Sequence, residues 1–181
     1  MAAMDYPPTR IGAGRNAIEK YKELRQQVSP NDCLGLITFE SRPRVVCPLA
    51  WLSDPSQAVF FSRSLTTIQP HGGTRLDRAF DLATECLLIQ ICGLCLAQEG
   101  RVRVHVLTDG HSGGNPEKAA HELKENGVVI DITGIGGAPE EVNESLLKRC
   151  ASIEDGRLLY RFIGDGDSNA LAKHFGRLAI R

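Results

Sequence analysis

The 181-residue chain lacks any apolar run of the ~18 residues that a membrane-crossing helix requires. Its longest candidate, "CLLIQICGLCLA", is shorter and carries Gln90. The first residues, "MAAMDYPPTR", lack the charged-then-apolar layout of a secretory signal. No surplus of either charge exists, since the formal net charge is −1. A partner of the nucleic-acid or anionic-membrane kind is therefore not expected. The one basic cluster, "RQQ" with flanking Lys22 and Arg25, reads as the solvated face of a helix. Six cysteines are too few for a dense disulfide framework. Cys92 and Cys95 form C-x-x-C, but no second pair stands at zinc-site spacing, so buried free thiols are expected. Cys33 and Cys47 could approach each other across a hairpin, with no bond expected. A reducing, cytoplasmic setting fits this pattern. Also missing are a G-x-S-x-G elbow and a phosphate-binding Gly-Lys-Thr loop.

What is present is ordinary enough to fold. Forty-two per cent of residues are hydrophobic, which excludes a disordered chain, and the length suits a single domain over residues 1–181. Helical and strand patterns alternate. Residues 11–28 place Ile11, Arg15, Ile18, Tyr21 and Leu24 at helical spacing, and "SPND" stops them. "CLGLITF" (33–39) and "PRVVCPL" (43–49) read as strands close enough to pair as an antiparallel hairpin. Asp54 caps a predicted helix over 55–66. Residues 75–98 carry one apolar stripe of Leu76, Phe80, Ala83, Leu87, Ile91 and Leu94.

The second half continues the alternation. "RVRVHVLT" (101–108) is a strand pattern, and "NPEKAAHELKENG" has Asn115 as cap, Pro116 in the first turn and Gly127 at the stop. Strand 128–136, helix 139–151, strand 157–163 and helix 167–179 complete the prediction. Such alternation predicts an α/β fold, a doubly wound, mostly parallel sheet with helices on both faces. Ligands of such sheets bind beyond the carboxyl ends of the strands. Asp109 stands at one such end, where it either binds or merely forms a turn with Gly110. In "QPHGGTRLDRAF", Gly72 and Gly73 permit a tight path, and Thr74 either caps the helix or offers a hydroxyl.

A Gly-Gly-Thr loop before the longest helix, followed by strand-Thr-Asp-Gly, resembles the von Willebrand factor A family. The resemblance covers nearly the whole chain. "DCLGLITFES" and "VVCPL" are similar to the family's second and third strands. "GGTRLDRAFDLA" resembles its metal-site threonine loop and helix, and "VRVHVLTDGHSGG" its aspartate strand. "AAHELKENGVVIDITGIG" resembles the helix and strand after it, and "NESLLKRCAS…GRLLYRFI" the final strand region. The resemblance implies a metal-ion-dependent adhesion site (MIDAS) with Thr74 and Asp109 as ligands, directly or through water. Magnesium wants six oxygens and suits hydroxyls with a lone carboxylate, leaving it attracted to an acidic group on a partner. Imidazole is a poor magnesium ligand, so His111 is expected at the rim, with Ser112 nearby.

The chain departs from the family at its start. The family's first strand ends in D-x-S-x-S, which supplies the larger share of the site's protein ligands, and no such motif is present. Either "DYPPT" is a degenerate version keeping Asp5 and Thr9 with Pro7 for a serine, or the motif lies upstream. "MAAMDYPPTRIGAGRNA" resembles the continuation found after D-x-S-x-S in bacterial members. Four residues before Asp5 are also too few for a strand of ~5–6. The second option is favoured, and with it an absent first central strand and an incomplete site of weak or no metal affinity. The resulting expectation is a non-enzymatic module that binds a protein ligand through an acidic side chain, with Mg2+ or another divalent cation. The alternatives are a degenerate member binding without metal, or a doubly wound metal-dependent hydrolase using Asp109. Hydrolases of that kind want further acids at neighbouring strand ends. Asp131 lies within its strand, and Gly134 and Gly136 occupy the next strand end.

Overall fold

The computed structural model describes residue 4 and residues 9–70, 73–94, 101–109, 111–164 and 166–181, with the backbone alone for 89–94. Asp5, Pro7, Gly72 and Cys95 lie outside the described residues, as do the side chains of Ile91, Cys92 and Leu94. The chain divides into two compact units, one of residues 1–38, 45–71 and 165–181, the other of 39–44 and 72–164.

The first unit contains helix α1 (Arg10–Val28), strands β1 (Cys33–Thr38) and β2 (Arg44–Trp51), whose first residue falls in the other unit, and helix α2 (Pro55–Thr67). The last helix of the chain, Ser168–Ala179, belongs to the same unit. Thr9 starts α1 by accepting the Gly12 N–H at 3.0 Å, and Asp54 starts α2 by accepting the Ser56 N–H at 2.9 Å. β1 and β2 pair with each other as a two-stranded sheet. Their connection is far too short for a parallel crossover, so they form the predicted hairpin. Cys33 and Cys47 are free thiols, and Cys47 packs with Phe61 and Leu65 beneath Leu34 and Leu36. α1 lies against the last helix, where Tyr21 meets Phe175 edge to face with ring centroids 6.4 Å apart.

The basic stretch of α1 is not the solvated face that the sequence suggests. Lys22 is buried, its ammonium held by Glu19 at 2.6 Å and by the Ser62 hydroxyl at 2.8 Å on α2. Arg25 pairs with Asp32 and donates to the Ala179 carbonyl at 3.1 Å, while Gln26 donates to the Leu52 carbonyl at 3.0 Å. Long polar side chains can lay their stems on apolar surface and still find partners, so polarity alone did not mark an outer face.

The second unit carries α3 (Leu76–Leu94), β3 (Arg103–Thr108), α4 (Pro116–Glu125), β4 (Val129–Ile135), a short 3-10 helix (Pro139–Glu141) and α5 (Glu144–Cys150). β5 (Ile153–Glu154), β6 (Arg157–Leu158) and β7 (Tyr160–Ile163) follow, and the terminal helix is α6. β3, β4 and β7 form a three-stranded parallel sheet in that order. β4 is the central strand and is buried along both faces, its Asp131 and Thr133 enclosed as well as its isoleucines. Leu123, Ile130, Ile132, Ile135 and Leu147 are fully enclosed around it. The architecture is the expected α/β arrangement of helices and a parallel sheet. Among the described residues no strand precedes α1, and β1–β2 and β3–β4–β7 are separate sheets.

Two predicted elements are divided. The helix expected over 139–151 is broken because Asn143 takes a non-helical conformation and caps α5, accepting the Leu146 N–H at 3.1 Å. The strand expected over 157–163 is two strands in different sheets, β6 pairing antiparallel with β5 and β7 parallel with β4. The switch falls at Leu159, whose N–H donates to Ser152 and whose carbonyl accepts from Ile132, both at 2.8 Å. β5 was not predicted, although Asp155-Gly156 between aliphatic residues is a two-residue hairpin signal. Both turn residues have positive φ, 50° and 72°.

Candidate metal centre

The carboxyl ends of β3, β4 and β7 share one edge of the parallel sheet, because Thr108 is in register with Gly134 and Ile135 with Ile163. Asp109 leaves β3 at this edge, half-buried, directly after the buried Thr108. The Thr74 loop reaches the same edge. Thr74 forms a parallel bridge with Ser112, three residues beyond Asp109, and its carbonyl accepts the Gly113 N–H at 3.1 Å. The Ser112 hydroxyl accepts the Leu76 N–H at 2.9 Å and donates to the Gly113 carbonyl at 3.0 Å. A residue of the aspartate loop, and not Thr74, thus satisfies an opening N–H of α3.

Further contacts fix this pair of loops. Arg75 grips Asp77 through two parallel hydrogen bonds of 2.9 and 2.7 Å. Asp77 also accepts the backbone N–H of Asn115, the residue whose side chain caps α4. The Arg75 guanidinium holds the Asp77 carboxyl below the usual range, and burial opposes it only in part. Gly114, at φ 76°, leaves the space that Asp77 occupies: a Cβ there would lie 1.9 Å from Asp77 Oδ2. The β1–β2 loop is attached too, since the Gly73 N–H donates to the Ser41 hydroxyl at 3.2 Å and Arg78 to the Ser41 carbonyl at 3.3 Å.

The structure therefore brings Thr74 against the loop that begins at Asp109, and it places exposed His111 in that loop. Ser41, Arg75 and Asp77 were missed as positioning residues, because their partners are distant in sequence or depend on loop geometry. Asp131 is buried inside β4, and the strand end beyond it carries Gly134 and Gly136. The nearby donors singled out by sequence are oxygens, a hydroxyl and a carboxylate, which suit a hard cation. Among the described residues no three of His, Cys, Asp and Glu gather to hold a metal, as a zinc cluster would require.

The sequence profile of the von Willebrand factor type A domain family matches residues 1–111. The chain belongs to this family. Among solved structures, the von Willebrand factor type A protein from Catenulispora acidiphila superposes with a TM-score of 0.75 at 19% identity. That match covers 99% of this von Willebrand factor A chain and 39% of the other. Conserved hypothetical protein BatB from Bacteroides thetaiotaomicron gives 0.71 at 21% identity, covering 100% and 94%. Proximal thread matrix protein 1 from the mussel byssus, in a structure with a zinc-occupied MIDAS motif, gives 0.67 at 17%, covering 94% and 42%. At these identities the likeness speaks for the fold. A comparison with curated protein sequences gave no significant match.

Proposed function

We propose that this von Willebrand factor A domain is a non-enzymatic protein-binding module whose Thr74 hydroxyl and Asp109 carboxylate serve a divalent cation, Mg2+ in the working state. The observation that carries this reading is the Thr74–Ser112 bridge, which ties the threonine loop to the loop of the strand-terminal acid. One carboxylate leaves a doubly charged cation under-neutralised, and an acidic side chain of a protein partner completes its shell. Two side chains are well short of six oxygens, so affinity for the free cation is weak and the partner's carboxylate strengthens it. The zinc-occupied MIDAS of the mussel relative supports a metal at this edge of the fold.

Calorimetric titration with magnesium tests the assignment. The expected result is weak binding in the native chain that disappears in Asp109→Ala and falls in Thr74→Ala. Tight binding that Asp109→Ala leaves intact would refute it. A screen against generic phosphate and ester substrates tests the non-enzymatic reading, and turnover lost in Asp109→Ala would overturn it.

A further inference from the structure

At the opposite end of the parallel sheet, where β4 begins, the second unit has an open hollow of about 560 Å³. Lys124, Lys148 and Arg149 line it, together with Val129, Ile153 and Leu158, and no carboxylate does. Lys148 and Arg149 are engaged by Glu144 and Glu117, acids outside the lining. Lys124 differs. Its ammonium donates to the carbonyls of Arg149 at 3.2 Å and Ala151 at 3.4 Å, at the end of α5, and no carboxylate pairs with it among the described residues. Arg157 on β6 stands across from Glu154, on the hairpin face opposite Ile153 and Leu158, and takes no part in the lining. The hairpin's own Glu154 is taken by Arg103 at 2.9 Å.

The apolar part of the surface is as specific. Ile153 and Leu158 are cross-strand partners, 72% and 41% exposed, while the next residue, Leu159, turns into the core. A hairpin of this length gains little from an outward aliphatic pair. Such a pair beside Lys124, in a lining with three cations and no carboxylate, matches a ligand with an aliphatic side chain flanked by carboxylates. The hollow is wide-mouthed and bordered by a two-stranded edge, which suits an extended segment rather than an enclosed small molecule. No aromatic side chain lines it to stack a nucleic-acid base.

We infer that the β5–β6 hairpin and the Lys124 hollow form a second docking surface, for an acidic–aliphatic peptide segment of a protein partner, independent of the metal-site edge. The test is selection of a displayed library of random linear peptides on the full chain in the presence of EDTA. The expected peptides carry Asp or Glu beside Leu, Ile, Val or Phe. Their affinity falls about tenfold or more in Ile153→Ser and in Lys124→Gln, and declines with added salt. Ile153 is exposed and Lys124→Gln is a substitution near the end of α4, so circular dichroism of these variants should match the native chain. Asp109→Ala should bind the selected peptides unchanged, which separates this surface from the proposed metal centre. Failure to enrich peptides, peptides without the acidic–aliphatic pattern, or binding indifferent to Ile153→Ser would overturn the inference. Retention of phosphatidylserine vesicles in place of peptides would overturn it as well.

Discussion

The two ends of the β3–β4–β7 sheet are built from different materials. The carboxyl edge is made of small residues, Gly73, Thr74, Ser112, Gly113 and Gly114, and its loops are joined mainly through backbone groups. The amino edge is made of long ones, Lys124, Lys148, Arg149, Ile153 and Leu158, joined through side chains. Strand–helix alternation explains the contrast. Helices α3 and α4 begin at the carboxyl edge, where the short side chains of Ser112 and Asn115 accept opening N–H groups. Helix α5 ends at the amino edge, where its carbonyls attract a cation, and Lys124 supplies one. One edge thus presents hydroxyl and carboxylate oxygens, while the other offers cations and aliphatic surface.

The largest expected effect comes from a change that damages both ends alike. Ile132→Ala, in the enclosed middle of β4, should cost about 2–5 kcal/mol, read as a lower urea midpoint at unchanged slope. Gly114→Ala should cost about 2 kcal/mol, because φ 76° disfavours a side chain and the new Cβ displaces the Asp77 carboxylate. Amide exchange should then accelerate over residues 111–115 and stay unchanged at Ile153–Leu158. Acceleration at both ends would break the contrast. Ser112→Ala removes an acceptor for the Leu76 N–H and should cost about 1 kcal/mol, again at the carboxyl edge alone.

Acid should act on the second unit through three carboxylates at helix starts. Asp77, Glu117 and Glu144, in the first turns of α3, α4 and α5, are held below their usual values by Arg75, Arg149 and Lys148 respectively. A depressed folded-state value means stabilisation that is complete above the ordinary carboxylate range and is lost as pH falls through the lower folded value. The side chain of Asp77 is only 14% exposed, whereas Glu117 is solvent-screened. Arg75→Gln should therefore flatten the acid limb of a stability–pH profile more than Arg149→Gln does. The smallest effect belongs to Ile153→Ser, which should change stability by no more than about 0.5 kcal/mol, because that side chain contributes to no core.

Local chemistry was legible where it acts locally. Asp54 and Asn115 sit at helix starts as their side chains require, and Gly127 ends α4 at φ 77°. The Thr74 and Asp109 segments were legible as family motifs, and the structure joins their loops. What escaped depends on partners far along the chain. "RLLYRFI" carries no mark that Leu159 passes from one sheet to another, because Ser152 and Ile132 decide it. The inward turn of Lys22 needed Ser62 on α2, and Ser41 needed Gly73. Ser112 was placed near the site by sequence, but its role as an acceptor for α3 is visible only with both loops assembled.

The account rests most heavily on one cation drawing oxygens from the threonine loop and the strand-terminal acid. Manganese, a hard cation that broadens nearby resonances even when weakly bound, tests this on the 15N-labelled chain. Broadening should centre on the amides of residues 73–75 and 109–113 and vanish in Asp109→Ala. Broadening centred elsewhere, absent altogether, or indifferent to Asp109→Ala would contradict the account.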